Sequence, residues 1–223
     1  MNNELFNEKW MKLALRLAKK GEGKVSPNPM VGAVLTKEGK VIATGYHKYF
    51  GGPHAEVEAI EKAKGEAQGA TLYASLEPCN YYGKTPPCTE KIIRAGIKKV
   101  IAAASDPTSK GGLKRLAREG IETELGVCQE EAKKLNEAFF KYLREKRPFV
   151  IVKAAISLDG KIATPSGESK WITGEKSRRF AHSLRDKVDA ILVGINTVIK
   201  DDPSLLPPSS KRRFVRILSL IHI

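Results

Sequence analysis

The sequence predicts a layered α/β protein made of two units. Short apolar runs of strand character alternate with stretches of helical period, the pattern of a sheet covered by helices. The alternation restarts at Lys146-Arg147-Pro148, where a new apolar run follows a charged break. No internal repeat or long low-complexity linker interrupts it. In order, the first helix spans 7–20, with Trp10, Leu13, Ala14, Leu17 and Ala18 on one face and Gly21 and Gly23 as its stop. Residues 31–35 and 41–46 read as a hairpin turning at Glu38-Gly39. Helices over 54–63, 89–95, 112–119 and 130–144 then alternate with strands over 71–75, 100–104 and 122–125. Beyond the break, Phe149-Val150-Ile151-Val152 reads as a buried-type strand. A helix is expected over 177–184, with strands over 190–193 and 214–218. The domains are therefore expected at 1–147 and 148–223.

Composition narrows the classes. The chain has 223 residues, 41% hydrophobic and 29% charged, which is ordinary for a globular protein. No apolar run reaches the roughly 18 residues of a membrane span, and residues 1–8 lack the apolar centre of a signal peptide. With three cysteines and no export signal, a disulfide framework is not expected, and the cytoplasm is the expected compartment. Cys128, with no cysteine near it, reads as a buried and inert thiol. The net charge of +14 is spread along the chain: residues 1–147 carry 26 Lys+Arg against 18 Asp+Glu, and the remainder 13 against 7. Without a long basic run or interleaved aromatics, neither a nucleic-acid nor a membrane partner is expected. A phosphorylated small substrate fits the same excess.

Three stretches carry the chemistry: Pro53-His54-Ala55-Glu56, Glu77-Pro78-Cys79, and Thr85-Pro86-Pro87-Cys88. One imidazole and two thiolates suit Zn2+ with its fourth position open, the arrangement of catalytic rather than structural sites. Each piece alone is weak, since His-Ala-Glu can simply start a helix and Pro-Cys can be a buried thiol. Together they form the His-x-Glu plus Pro-Cys signature of zinc deaminases. His54, Cys79 and Cys88 are the expected ligands. Glu56, two residues after His54, is placed to move protons without ligating.

The sequence resembles the bifunctional deaminase–reductases of bacterial riboflavin biosynthesis. The matching motifs are Ser26-Pro27-Asn28-Pro29-Met30-Val31-Gly32, Gly51-Gly52-Pro53-His54-Ala55-Glu56-Val57, and Leu76-Glu77-Pro78-Cys79 through Gly83-Lys84-Thr85-Pro86-Pro87-Cys88. In the second unit they are Arg147-Pro148-Phe149-Val150, Ser157-Leu158-Asp159-Gly160-Lys161-Ile162-Ala163, Ser169-Lys170-Trp171-Ile172-Thr173 and Asp189-Ala190-Ile191-Leu192-Val193-Gly194. The resemblance runs from about residue 7 to about residue 206. Eight residues separate the two cysteines, against two in other deaminases of this class. Asn80-Tyr81 and the 106–109 loop depart from the usual family residues.

The resemblance implies a cytidine-deaminase-like α/β/α domain followed by a dihydrofolate-reductase-like α/β domain. It implies two reactions: deamination of diaminohydroxyphosphoribosylaminopyrimidine, then NADPH-dependent reduction of the ribosyl group. It maps Asn28, His47, Lys84 and Asp106 onto positions that hold the first substrate. A turn residue (Asn28), a solvated loop lysine (Lys84) and a turn cap (Asp106) are the alternatives. It maps Ser169, Arg185 and Leu205 onto positions for the ribosyl substrate, and Ala155, Trp171, Thr197 and Asp201 onto positions for NADPH. A reductase domain of this kind needs about 200 residues, so the second unit is expected to be C-terminally incomplete, with impaired NADPH binding and no reduction. Residues 219–223 match nothing in the family. A homo-oligomer is the expected assembly. A tRNA or nucleoside deaminase of the same fold is the alternative function. A closed, structural zinc site is the rival outside catalysis, with His47 as its conceivable fourth ligand.

Overall fold

The computed structural model describes residues 3–208 and 214–220. The chain divides into two compact units, Met1–Phe149 and Val150–Ile223. No helix among the described residues is long and apolar enough to cross a membrane.

In the first unit, helix α1 (Asn3–Ala18) leads into strands β1 (Gly32–Lys37) and β2 (Lys40–Tyr46). Helix α2 (Ala55–Lys62), β3 (Thr71–Ala74), α3 (Cys88–Arg94), β4 (Lys99–Ala102), α4 (Gly112–Arg118) and β5 (Glu122–Leu125) follow. Helices α5 (Gln129–Leu135) and α6 (Glu137–Glu145) close the unit. The sheet order is β2-β1-β3-β4-β5. The β1–β2 and β1–β3 pairs are antiparallel, while β3–β4 and β4–β5 are parallel.

Alternate strand residues face opposite layers. Ala33, Leu35, Leu72 and Val100 pack with Ala59, Ile60, Ile92 and Leu116 from α2, α3 and α4. Val34, Tyr73 and Ile101 pack on the other face with Met11, Ala14 and Ala132 from α1 and α5. The result is the expected three-layer α/β/α arrangement, with an apolar core on each side of one sheet.

Two glycines let helices lie flush on this sheet. A Cβ on Gly32 would stand 2.0 Å from the Ala14 carbonyl oxygen, and one on Gly45 would stand 2.2 Å from that of Ala55. Both obstacles are backbone, so relief requires moving a helix. Gly45→Ala is expected to destabilise the protein by about 2 kcal/mol or more, read as a lower midpoint in urea. An unchanged midpoint would contradict the close packing of α2 on β2.

The helix expected over 130–144 is two helices. Asn136 leaves helical geometry (φ −107°, ψ 26°) because its side chain is committed to the backbone of Met30. Cys128 is half-buried rather than buried. It stands in left-handed geometry ahead of α5, where the turn holds its side chain at the margin of the core.

In the second unit, α7 (Glu175–Ser183), β6 (Ala190–Gly194), α8 (Ile195–Asp201) and β7 (Val215–Ser219) are formed. Strands β6 and β7 pair in parallel from Ala190↔Val215 to Gly194↔Ser219. The strand expected over 149–152 is not formed. A strand needs a neighbour's backbone, and among the described residues none pairs with this segment; Val152 is 89% exposed. Among the described residues of this unit only Leu205 is buried, and Leu192, Ile199 and Ile217 are open to solvent. Residues 221–223, part of the tail without family counterpart, lie outside the described residues.

Candidate active site and metal centre

The cleft of the first unit lies past the C-terminal ends of β3 and β4, where parallel sheets place their ligands. Residues Leu76, Glu77 and Cys79 leave β3, and Asp106 and Thr108 leave β4. Helix α2 begins immediately after His54, with Glu56 in its first turn. Helix α3 begins at Cys88. Asn28, Pro29 and Val31 contribute from the loop before β1, and Phe139 from α6. The cavity measures about 200 Å³ and is also lined by His47, His54, Glu56 and Tyr81.

The potential ligand atoms of His54, Cys79 and Cys88 lie within 4.8 Å of one another. His54 Nδ1 is 3.2 Å from Cys88 Sγ and 3.5 Å from Cys79 Sγ. Its Nε2 lies 3.5 Å from Thr85 Oγ1, a partner that leaves Nδ1 facing the sulfurs. The Cys88 amide donates to Cys79 Sγ (3.3 Å) and the Thr89 amide to the Cys79 carbonyl (3.2 Å), so both cysteines are fixed by the first turn of α3. Hydrogen bonding from Cys88 and His54 pulls the Cys79 thiol down to about 4. Cys88, buried beside that sulfur and Glu56, is pushed up. A dication held between them would favour both sulfurs as thiolates. The donor set fits zinc.

Glu56 is 3% exposed, and its Oε2 has no hydrogen-bond partner among the described residues. Burial raises its carboxyl to about 7. A buried carboxylate oxygen with no protein partner is costly unless something else occupies the cleft beside it.

His47 is not available as a fourth ligand. Its Nδ1 donates to the Pro53 carbonyl (3.0 Å) and its Nε2 accepts from Asn28 Nδ2 (3.2 Å), a tautomer assigned by these partners. Burial lowers its pKa, in keeping with a neutral ring. Among the described residues, the metal-ligating cluster contains three residues and no fourth.

The cleft therefore gathers Asn28, His47, His54, Glu56, Cys79 and Asp106, with Cys88 at its metal corner. Asp106 also caps its own turn, its Oδ1 accepting from the Thr108 amide and hydroxyl at 2.7 Å each. Lys84 is not in the lining. It is exposed, with its ammonium 3.9 Å from the Phe50 ring centroid.

Sequence reasoning assigned no role to Glu77, Tyr81, Thr108, Phe139 or Asn136. Glu77 accepts the backbone amides of Asp106 (3.3 Å) and Leu113 (3.1 Å), tying the β4 loop to α4. A carboxylate beside a zinc-type Pro-Cys was the available signal. Phe139 and Asn136 gave none, since both fit an ordinary amphipathic helix.

In the second unit, Lys170 pairs with Asp201 (3.0 Å), next to Trp171, whose ring carries the Arg178 guanidinium at 4.4 Å. Arg185 donates to the Leu206 carbonyl (3.2 Å), beside Leu205. Thr197 and Ser169 are exposed and Ala155 is half-buried. Trp171 with Asp201, and Arg185 with Leu205, are thus neighbours; no contact draws Ala155, Ser169 or Thr197 to them among the hydrogen bonds and ion pairs of the described residues.

Residues 5–104 match the cytidine and deoxycytidylate deaminase zinc-binding region. Residues 148–216 match the RibD C-terminal domain. The riboflavin biosynthesis protein RibD of Aquifex aeolicus is 55% identical over 203 residues, covering 90% of this chain and 57% of its own length. The chain belongs to the RibD family. The Escherichia coli RibD is 44% identical over 202 residues. A crystal structure of a diaminohydroxyphosphoribosylaminopyrimidine deaminase/5-amino-6-(5-phosphoribosylamino)uracil reductase from Thermotoga maritima superposes with a TM-score of 0.91 at 49% identity, over 97% of this chain and 64% of that one. Acinetobacter baumannii RibD gives a TM-score of 0.88 at 41% identity, over 96% of this chain and 63% of that one. The chain thus spans somewhat more than half the length of the RibD relatives it matches. Membership in RibD disfavours the tRNA or nucleoside deaminase alternative.

Proposed function

We propose that the first unit is a zinc-dependent deaminase that converts diaminohydroxyphosphoribosylaminopyrimidine and water to 5-amino-6-(5-phosphoribosylamino)uracil and ammonia, a step of riboflavin biosynthesis. The observation that carries this is the convergence of three zinc-type ligand atoms and the unpartnered Glu56 Oε2 in one cleft. Zinc held by His54, Cys79 and Cys88 would lower the pKa of a water at its open position. Glu56 would accept a proton from the attacking water and deliver it to the adjacent ring nitrogen, then take the second proton from the hydroxyl formed on the carbon and pass it to the departing amine. The C–O bond forms as the ring C=N π bond opens onto the protonated nitrogen, and the exocyclic C–N bond breaks afterwards as the hydroxyl becomes the carbonyl, so both of the water's protons pass through one carboxylate.

A cavity of about 200 Å³ lies below the usual range for whole-ligand pockets, room for one heterocycle rather than a whole nucleotide. Asn28 keeps its amide oxygen and a second N–H for a pyrimidine edge while His47 fixes its orientation. His47 and Asp106 complete the polar wall. Lys84, outside the cavity on Phe50, is placed to meet a phosphate that projects from the mouth. Lys84→Ala is expected to raise KM about tenfold with kcat within a few-fold, the signature of lost uniform binding. An equal loss on a substrate lacking the phosphate would remove that role.

The second unit is read as the start of the reductase half. Ala155, Trp171, Thr197 and Asp201 are proposed to face NADPH, and Ser169, Arg185 and Leu205 the ribosyl substrate. A homo-oligomer is the proposed assembly, which sedimentation velocity tests; a monomer at micromolar concentration contradicts it. The functional reading is tested by offering the zinc-loaded chain its phosphoribosylaminopyrimidine, cytidine and tRNA side by side. Ammonia release from the first alone is expected, and preference for either of the others overturns it.

A further inference from the structure

We propose that Asn136 is a positioning residue for the deamination, holding two walls of the cleft at a fixed separation through its grip on Met30. The inference rests on the deaminase reading. Asn136 is 3% exposed and touches neither the cavity nor the metal ligands. Its Oδ1 accepts from the Met30 amide (2.7 Å) and its Nδ2 donates to the Met30 carbonyl (2.9 Å), across 106 positions of sequence. One side-chain amide thereby satisfies both backbone groups of a single residue, as an adjoining strand would.

The place it grips is the weak point of the substrate wall. Met30 lies in a loop outside helix and strand, between the wall residues Asn28-Pro29 and Val31. Pro27 and Pro29 have no amide hydrogen to tie the segment down. The loop's other anchors include the Asn28 amide on the Val25 carbonyl (2.9 Å) and the His47 amide on the Val31 carbonyl (2.9 Å). Asn136 adds the tie in the middle.

The other end of the clamp is equally placed. Asn136 is where α5 stops and α6 starts; its carbonyl accepts the Phe140 amide (3.0 Å). Phe139, three residues on and so on the same side of the helix, lines the cavity. The interruption between α5 and α6 points the amide at Met30 while setting Phe139 into the cleft. Loss of the clamp lets the Asn28 and Phe139 walls drift apart. That weakens substrate binding and leaves the zinc corner, built on β3, α2 and α3, intact.

The test is steady-state deamination by the zinc-loaded full chain, with zinc content and amide hydrogen exchange measured on the same samples. Asn136→Ala is expected to raise KM about tenfold or more, keep kcat within about threefold, retain wild-type zinc content, and accelerate exchange of the Met30 amide. Asn136→Asp, which keeps the bond from the Met30 amide and loses the donor to its carbonyl, is expected to fall between. Ile97→Ala, a core truncation just before β4 at the sheet end away from the cleft, lowers stability with KM unchanged. A loss of activity in Asn136→Ala that tracks folded fraction alone, with wild-type KM, overturns the proposal. Should that variant not fold, a wild-type KM in Asn136→Asp overturns it equally. Failure of the wild type itself to deaminate refutes the functional reading instead, and the Met30 exchange then still decides whether the clamp exists.

Discussion

Glu56→Gln is expected to retain fold and zinc while losing deamination by about a thousandfold or more, the range of general acid–base catalysis. The substitution is nearly isosteric, and Glu56 lies inside the core end of α2, so packing is preserved. The amide cannot accept the proton that the carboxylate oxygen is placed to take. Glu56 Oε2 is unpartnered and buried, so the change leaves that oxygen's protein contacts as they were. A structural glutamate would show the reverse pattern: a change in stability and little in rate. Retention of more than a tenth of the wild-type rate, at equal zinc content, contradicts the shuttle assignment.

Cys88→Ser is expected to abolish deamination and cut zinc to well below one per chain. Cys88 is fully buried at the first position of α3, its own amide bonded to Cys79 Sγ. A serine hydroxyl there neither ionises near neutrality nor offers a soft donor, so the site falls to two good ligands. Because the inter-cysteine loop closes through these same contacts, the loss should extend to faster proteolysis between residues 80 and 87. Elemental analysis with limited digestion checks both. One zinc per chain in this variant would show that the metal is held elsewhere.

The proposed chemistry was legible because it depends on residue types at short separations. His54, Glu56, Cys79 and Cys88 lie in three motifs, and only a sheet that brings the ends of β3 and α2 together can use them. The hairpin at Glu38-Gly39 and the helix-covered α/β sheet were legible for a similar reason: strand period and glycine position report local geometry, while the α/β/α layering came from the family resemblance. The 149–152 segment misled because an apolar run reports a tendency to pair, whereas a strand exists only when a neighbour does. Val150, Ile151 and Val152 have none among the described residues. The split at Asn136 was illegible for the opposite reason. Asparagine is tolerated inside helices, and the partner that draws it out, Met30, is 106 residues away. Lys84 matches by its position in the loop, and its side chain rests on Phe50 outside the cavity lining, a placement the motif did not give. Which wall a lysine serves depends on the path of the eight-residue loop, and spacing alone does not fix that path.

The reaction proposed for this cleft is deamination of a phosphoribosylated pyrimidine by zinc chemistry. It is tested most directly by ammonia release from diaminohydroxyphosphoribosylaminopyrimidine, measured on the purified chain as isolated, after chelation, and after readdition of one equivalent of zinc. The expected result is stoichiometric ammonia that disappears with the metal and returns with it. Ammonia release that persists undiminished in the metal-free chain, or none from a chain carrying one zinc at His54, Cys79 and Cys88, would contradict the account.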